Sequence, residues 1–182
     1  MLNQDGPLWL AEIDLQGANL TEINLDKAVL VSSKFDGANM TGAILNGANL
    51  SEASLVGSEL KNASLQEAVL VDAVLDNANL NSANLAGADL TDAKLDKTFL
   101  ASVKLVDADL TRARIRQVNM RGALLNNANL NGANLSGSSL RGADLTDASL
   151  DGIILDEATY DDKTIWPEGF DPTASGAVKV EE

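Results

Sequence analysis

Apolar residues recur along this chain at every fifth position. From Leu10 to Leu155 the 30 positions that are multiples of five are all apolar: 26 are leucine, and the others are Phe35, Met40, Ile115 and Met120. No insertion or deletion shifts the phase. Two residues before each of these centres lies a second restricted position. Of the 29 such positions from 18 to 158, 21 are alanine. The exceptions are Ile23, Ser33, Ser58, Thr98, Val103, Val118, Ser138 and Ile153, all small or β-branched. The remaining positions carry nearly all of the charge.

A period of five fits neither common element. A helix advances about 100° per residue, so a five-residue period walks around its surface and forms no stripe. A strand alternates with period two, and five is odd. The uneven leucine spacing of leucine-rich repeats is absent, and so is a heptad. Glycine adds the missing signal. Eleven of the 14 glycines sit two residues after a centre, from Gly17 to Gly152. Where glycine is missing there, Asn or Asp often stands instead, as at Asn62, Asp72, Asn77, Asp92, Asp107, Asn127 and Asp147. These residue types tolerate positive φ at a tight turn. Each unit therefore reads as a short extended piece with two inward side chains, closed by a corner. The pattern predicts a solenoid and leaves three, four or five sides open.

Units such as ANLNG, ADLTD and ANLTE resemble the A-(D/N)-L-x-x signature of the pentapeptide repeat family, over roughly residues 8 to 160. The resemblance implies an all-β fold: a right-handed, four-sided (quadrilateral) β-helix with one unit per side and 20 residues per coil. About seven to eight coils with short terminal caps are then expected. At about 4.8 Å per coil the rod is roughly 36 Å long. The expected organisation is an N-terminal cap segment at 1–9, the β-helix at 10–160, and a C-terminal cap and tail at 161–182. Trp9, Tyr160, Trp166 and Phe170 place four of the six aromatics near the coil ends. YDDKTIWPEGFDP is expected to fold over the C-terminal end as a lid, and TASGAVKVEE is read as a disordered tail.

Composition narrows the chemistry. The chain has no Cys and no His, which excludes disulfides, thiolate metal sites and the commonest near-neutral acid/base catalyst. No phosphate loop is present, because the glycines follow the corner spacing. Nothing resembles a signal peptide or a run of apolar residues long enough to span a membrane, so the expected location is the cytoplasm. A net charge of −14 argues against direct binding to nucleic acid or to anionic membranes. No cofactor, metal or catalytic constellation is expected.

The charges sort by side. The side carrying Leu10, Leu30 and every twentieth residue onward is the most acidic. On it Glu52, Asp72 and Asp92 form one expected column, with Asp89 and Asp109 in another. This is a candidate interaction surface, or simply a solvated acidic face; Val29, Val31, Val69 and Val71 dilute it. TRARIRQVNMR supplies a candidate basic patch of Arg112, Arg114, Arg116 and Arg121. Lys94 is expected to stack below Arg114, and Asp96 below Arg116. The patch could dock an acidic partner, or consist of ordinary cross-coil ion pairs. Phe99, between Thr98 and Val103, marks the least regular coil. The chain is read as a non-enzymatic rigid scaffold with a protein partner of unknown identity and a homodimer through the coil ends as an option. The alternative implied by the resemblance is an acidic DNA mimic that inhibits or protects DNA gyrase or another DNA-binding protein.

Overall fold

The computed structural model describes residues 7–181. Residues 1–6, which fall in the segment read as an N-terminal cap, and Glu182 lie outside the described residues. Single-residue parallel bridges join position to position at intervals of 20, from Trp9↔Val29 through Asn79↔Phe99 to Ser139↔Thr159. Four five-residue sides therefore close each turn of the chain.

One unit shows why the sequence folds this way. In the unit centred on Leu75, Ala73 and Leu75 point inward and are completely buried. The Leu75 N–H donates to Lys94 O at 2.7 Å, and Ala73 O accepts from Lys94 N at 2.9 Å. The Asn77 N–H donates to Asp96 O, also at 2.9 Å. The corner is then closed within the chain by Ala78 N–H donating to Leu75 O at 2.9 Å. Asn77 holds φ at 63°, which is left-handed, as does the equivalent residue of unit after unit. Glycine removes the strain of that conformation; Asn and Asp tolerate it.

Backbone bonding serves four of the five N–H groups in a unit. The fifth, on the residue just after the centre, has no carbonyl to meet. In most units an Asn or Asp side chain accepts it. The carboxylate or amide two residues earlier does so within the unit, as Asp89 does for Thr91 N (3.0 Å) and Asn84 for Ala86 N (3.2 Å). Elsewhere the acceptor comes from the coil before, as Asp36 serves Val56 N (2.9 Å) and Asp76 serves Asp96 N (2.9 Å). The (D/N) of the repeat is thus a backbone partner, satisfying a donor that would otherwise depend on water.

The interior is a leucine and alanine column with essentially no exposed surface from Leu25 to Leu145. Its longest run of irregular positions lies on one side. Thr98, Val118 and Ser138 follow each other at alanine positions and are all buried. Ser138 Oγ donates to Ile115 O (2.6 Å) and accepts from Val118 N (3.0 Å). The hydroxyl thus bridges the Val118 N–H and the Ile115 carbonyl of the coil before. Phe99, next to this column, lies on the surface and is 51% exposed.

The C-terminal end departs from the register. Asp144 pairs with Ile165, one residue beyond the 20-residue step. Side chains bridge the slip: Asp161 Oδ1 accepts from Gly142 N (2.9 Å), and Thr164 Oγ1 donates to Leu140 O (3.0 Å). Trp166 then packs edge-on against Tyr160 (5.6 Å) and stacks on Phe170 (5.3 Å). The TASGAVKVEE segment, expected to be a disordered tail, is ordered through residue 181. Strand β2 (Val178–Lys179) pairs parallel with β1 (Thr159–Tyr160), and Ala177 is buried. The final coil offers an unpaired parallel edge, and this short segment takes it. Among the described residues no helix is long and apolar enough to cross a membrane.

Leu75→Ala should cost about 2–5 kcal/mol, and Ala73→Leu about 1–3 kcal/mol by overpacking, both read from chemical denaturation midpoints. A neutral Ala73→Leu would contradict a narrow, filled interior. At Gly176, with φ +92°, an added Cβ would meet Asp156 Oδ1 at 2.8 Å and Asp156 Cα at 3.3 Å. Gly176→Ala should therefore release the C-terminal strap. Amide exchange at Val178 and Val180, which donate to Ala158 O and Tyr160 O, should accelerate while Leu75 stays protected.

Candidate functional site

With the interior filled, chemistry is left to the outward side chains. The acidic candidates separate into different roles. Asp89 and Asp109 stack in register, yet each carboxylate accepts the amide two residues on: Thr91 N at 3.0 Å and Thr111 N at 2.9 Å. Asp109 also accepts from Thr111 Oγ1 at 2.5 Å. Asp92 is held by Arg112, whose Nε donates to Oδ1 at 2.8 Å. That bond lowers the Asp92 pKa below its ordinary value and raises that of Arg112. Glu52 accepts from Ser32 Oγ at 3.1 Å. The Asp72 carboxylate alone of the five has no hydrogen bond or ion pair among the described residues. The structure brings these residues onto one side, but most of their charge is engaged in holding corners and coils together.

The basic candidates separate in the same way. Lys94 and Arg114 pair in one column, as expected from the 20-residue register. Asp96 sits beneath Arg116 and takes its backbone N–H (3.0 Å) and its Nη2 (2.6 Å). Arg114 reaches the same carboxylate, with Nε 2.7 Å from Asp96 Oδ2, and extends Nη2 to Asp76 Oδ2 two coils away (3.3 Å). Burial pushes the Asp96 carboxyl up, but the Arg116 hydrogen bonds and the charges of both arginines outweigh it and hold its pKa below the ordinary value. Arg121 lies apart on the next side, exposed, and its guanidinium has no partner among the described residues.

Asp76 and Asp96 carry more of this network than the sequence pattern signalled. Asp76 lies 38 residues from Arg114, two residues short of two register steps, so the column arithmetic alone does not flag the pair. A shallow surface groove of about 460 Å³ runs along this corner, lined among others by Asp76, Asp96, Lys97, Arg116 and Glu157. Within it Asp76 and Asp96 are paired with Arg114 and Arg116. Arg141–Asp161 (3.3 Å) and Lys179–Asp162 tie the last coil to the C-terminal segment. Among the described residues no group of Asp and Glu is arranged to hold a metal ion.

A parallel solenoid with a corner every five residues and a leucine–alanine interior defines a β-helical repeat protein. The chain belongs to the pentapeptide repeat family: the family model for pentapeptide repeats matches in 8 copies over residues 10–47, 43–81, 83–122 and 123–159. The right-handed four-sided β-helix of that family fits the 20-residue register of the bridges. Among solved structures the chain is similar to HetL, a pentapeptide repeat protein involved in heterocyst differentiation regulation from the cyanobacterium Nostoc sp. strain PCC 7120. The identity is 29% over 94% of this chain and 85% of that one, with a TM-score of 0.42. It is similar to Rfr23, a pentapeptide repeat protein from the cyanobacterium Cyanothece 51142 (27% identity, 87% and 90% covered, TM-score 0.35). A trypsin-treated form of QnrB1, a plasmid-mediated fluoroquinolone resistance protein, is similar at 16% identity (94% and 92% covered, TM-score 0.48). No curated protein matches by sequence.

The Asp96 pairing makes stability depend on pH. Its folded pKa is depressed, so its contribution is fully present above the ordinary value of 3.8 and is lost as pH falls through the lowered one. Carboxyl NMR of Asp96 should give a midpoint below 3.8. In an Arg114→Gln, Arg116→Gln double variant only burial and the backbone bond remain, and the midpoint should rise. An unmoved midpoint would dismiss the pairing.

Proposed function

We propose that this chain is a non-enzymatic rigid scaffold whose outer faces bind a protein partner. The reading divides the chain into a cap segment at 1–9, a β-helix of about seven to eight coils at 10–160, and a C-terminal cap and tail at 161–182. One observation carries it: the interior from Leu25 to Leu145 is filled and dry, so the outward residues alone are free to act. A repeating backbone ladder keeps those residues at fixed spacing, which suits recognition of an extended surface. An enzyme normally needs a concave pocket with converging polar groups, and the groove beside Asp96 is open and internally charge-paired.

The DNA-mimic reading rests on the net charge of −14 and the acidic side. It is weakened by the carboxylates of Asp89, Asp109 and Asp92, which are engaged with Thr91, Thr111 and Arg112 rather than held free as a phosphate-like array. The N-terminal coil end supports the further option of a homodimer. Trp9 is 74% exposed there, and Leu10, Ile13 and Leu15 are only partly buried.

Purified protein at micromolar concentration should leave DNA gyrase supercoiling unchanged on an agarose gel; inhibition would transfer the assignment to the mimic. Affinity capture from a lysate of the producing organism should retain a protein on the folded chain and not on the urea-unfolded one. Light scattering on the same preparation reads the homodimer, and a single-chain mass at every concentration removes it.

A further inference from the structure

Four consecutive units on one side of the solenoid differ from the rest of the surface. The units 78–82, 98–102, 118–122 and 138–142 stack through Asn79↔Phe99, Phe99↔Asn119 and Asn119↔Ser139. Their sequences are ANLNS, TFLAS, VNMRG and SSLRG. They contain no Asp or Glu, in a chain that has 27 acidic residues, and their only charges are Arg121 and Arg141. This side lies across the square from the most acidic one.

Two residues on this face lack what similar residues have elsewhere. Phe99 occupies an outward slot where its stacked neighbours are Asn79 and Asn119, and it is 51% exposed. Exposing an aromatic ring costs roughly 25 cal/mol for each Å² of apolar surface left in water. Arg121 has no side-chain partner among the described residues, whereas Arg112, Arg114, Arg116 and Arg141 all engage aspartates. Nothing on the face fences these two residues in. Ala101, Ser102, Gly122 and Gly142 are their small neighbours, and a shallow groove of about 500 Å³ runs between Arg121 and Arg141 to Lys163, with Asp161 at its edge paired to Arg141.

We propose that this face docks an acidic protein segment, which packs an apolar side chain on Phe99 and sets a carboxylate against Arg121. Charge complementarity selects that occupant. A guanidinium pairs with a carboxylate through two parallel hydrogen bonds; the four units hold no Asp or Glu, and the flanking carboxylates are already engaged, Glu59 by Asn79 and Asp161 by Arg141. Aromatic and arginine residues are also the types that dominate interface energies. Repulsion from the acidic side acts through the body of the rod and is screened beyond about 10 Å at 0.1 M salt. Duplex nucleic acid is a poorer fit, because two cations offer little counterion release against the net charge of −14. Four coils at about 4.8 Å make a face roughly 19 Å tall, enough for an extended segment laid along the column.

The inference rests on the scaffold reading and names its face, so the test separates the two. A random-peptide phage library is panned on the immobilised full chain. Enriched peptides should carry Asp and Glu around an aliphatic or aromatic residue. A synthetic copy, followed by fluorescence anisotropy, should bind about tenfold more weakly to Phe99→Ala and to Arg121→Glu, each a loss of about 1.4 kcal/mol. Its affinity should fall with added NaCl, and Asp72→Lys on the far side should leave it unchanged. Both Phe99→Ala and Arg121→Glu should keep the wild-type melting temperature, since neither side chain supports the core. No enrichment, neutral or basic consensus peptides, or affinity indifferent to both substitutions overturns the proposal. So does a Phe99-dependent dimer in light scattering, or duplex DNA bound through Arg121. If a lysate protein is still captured by the Phe99→Ala, Arg121→Glu double variant, the scaffold reading stands and only this face is lost. If peptides bind as expected and the lysate yields nothing, the face stands without the scaffold reading.

Discussion

A backbone that turns a corner every five residues strands one amide at each corner, and the whole structure depends on how that amide is satisfied. The parallel ladder serves three of the other donors of each unit and an i→i−3 bond within the chain serves the fourth; the stranded donor meets no backbone carbonyl. Asn and Asp supply the oxygen, either locally, as Asp89 does for Thr91, or from the preceding coil, as Asp96 does for Arg116. This explains why polar residues recur as regularly as the leucines. The carboxylates that stack in register, such as Asp89 and Asp109, are each turned onto a backbone donor of their own unit.

That dual use changes the meaning of the charged columns. A stripe of aspartates that reads as a recognition surface is, atom by atom, largely a set of corner braces and cross-coil ties. The arginines of residues 112–116 are spent in the same way, on Asp92, Asp96 and Asp76. Few outward side chains escape this use. Phe99, Arg121 and Asp72 are of that kind; the first two share one side of the rod, and Asp72 lies across from them. Exposed ion pairs of this sort add little to stability singly, and their regular spacing serves mainly to set register between coils.

The ends of the solenoid obey different rules from its middle. In the middle every coil finds the next 20 residues away, so errors of register would turn leucines outward and are strongly opposed. At the C-terminal end that constraint relaxes, and the chain inserts one residue between Asp144 and Ile165 without exposing the core. Asp161 and Thr164 replace the lost ladder bonds with side-chain bonds. Tyr160, Trp166 and Phe170 cover the last coil, and β2 then occupies its open edge. An unpaired parallel edge can recruit a strand from any chain, and here the chain's own tail takes the place.

The sequence by itself determined the period, the inward pair of each unit and the positive-φ corners, because each is a local demand repeated some thirty times. The 20-residue register placed Lys94 under Arg114 and Asp96 under Arg116 before any coordinates, since columns follow arithmetically once four sides are accepted. Only the tertiary structure decided which charges remain free. Whether Asp109 faces a partner or braces Thr111 turns on side-chain rotamers and on donors within reach, neither of which has a period. It also decided the fate of the tail. TASGAVKVEE carries no repeat and little apolar content, so nothing local orders it; an unpaired edge left by residues 159–160 does, and that edge exists only after the coils have stacked.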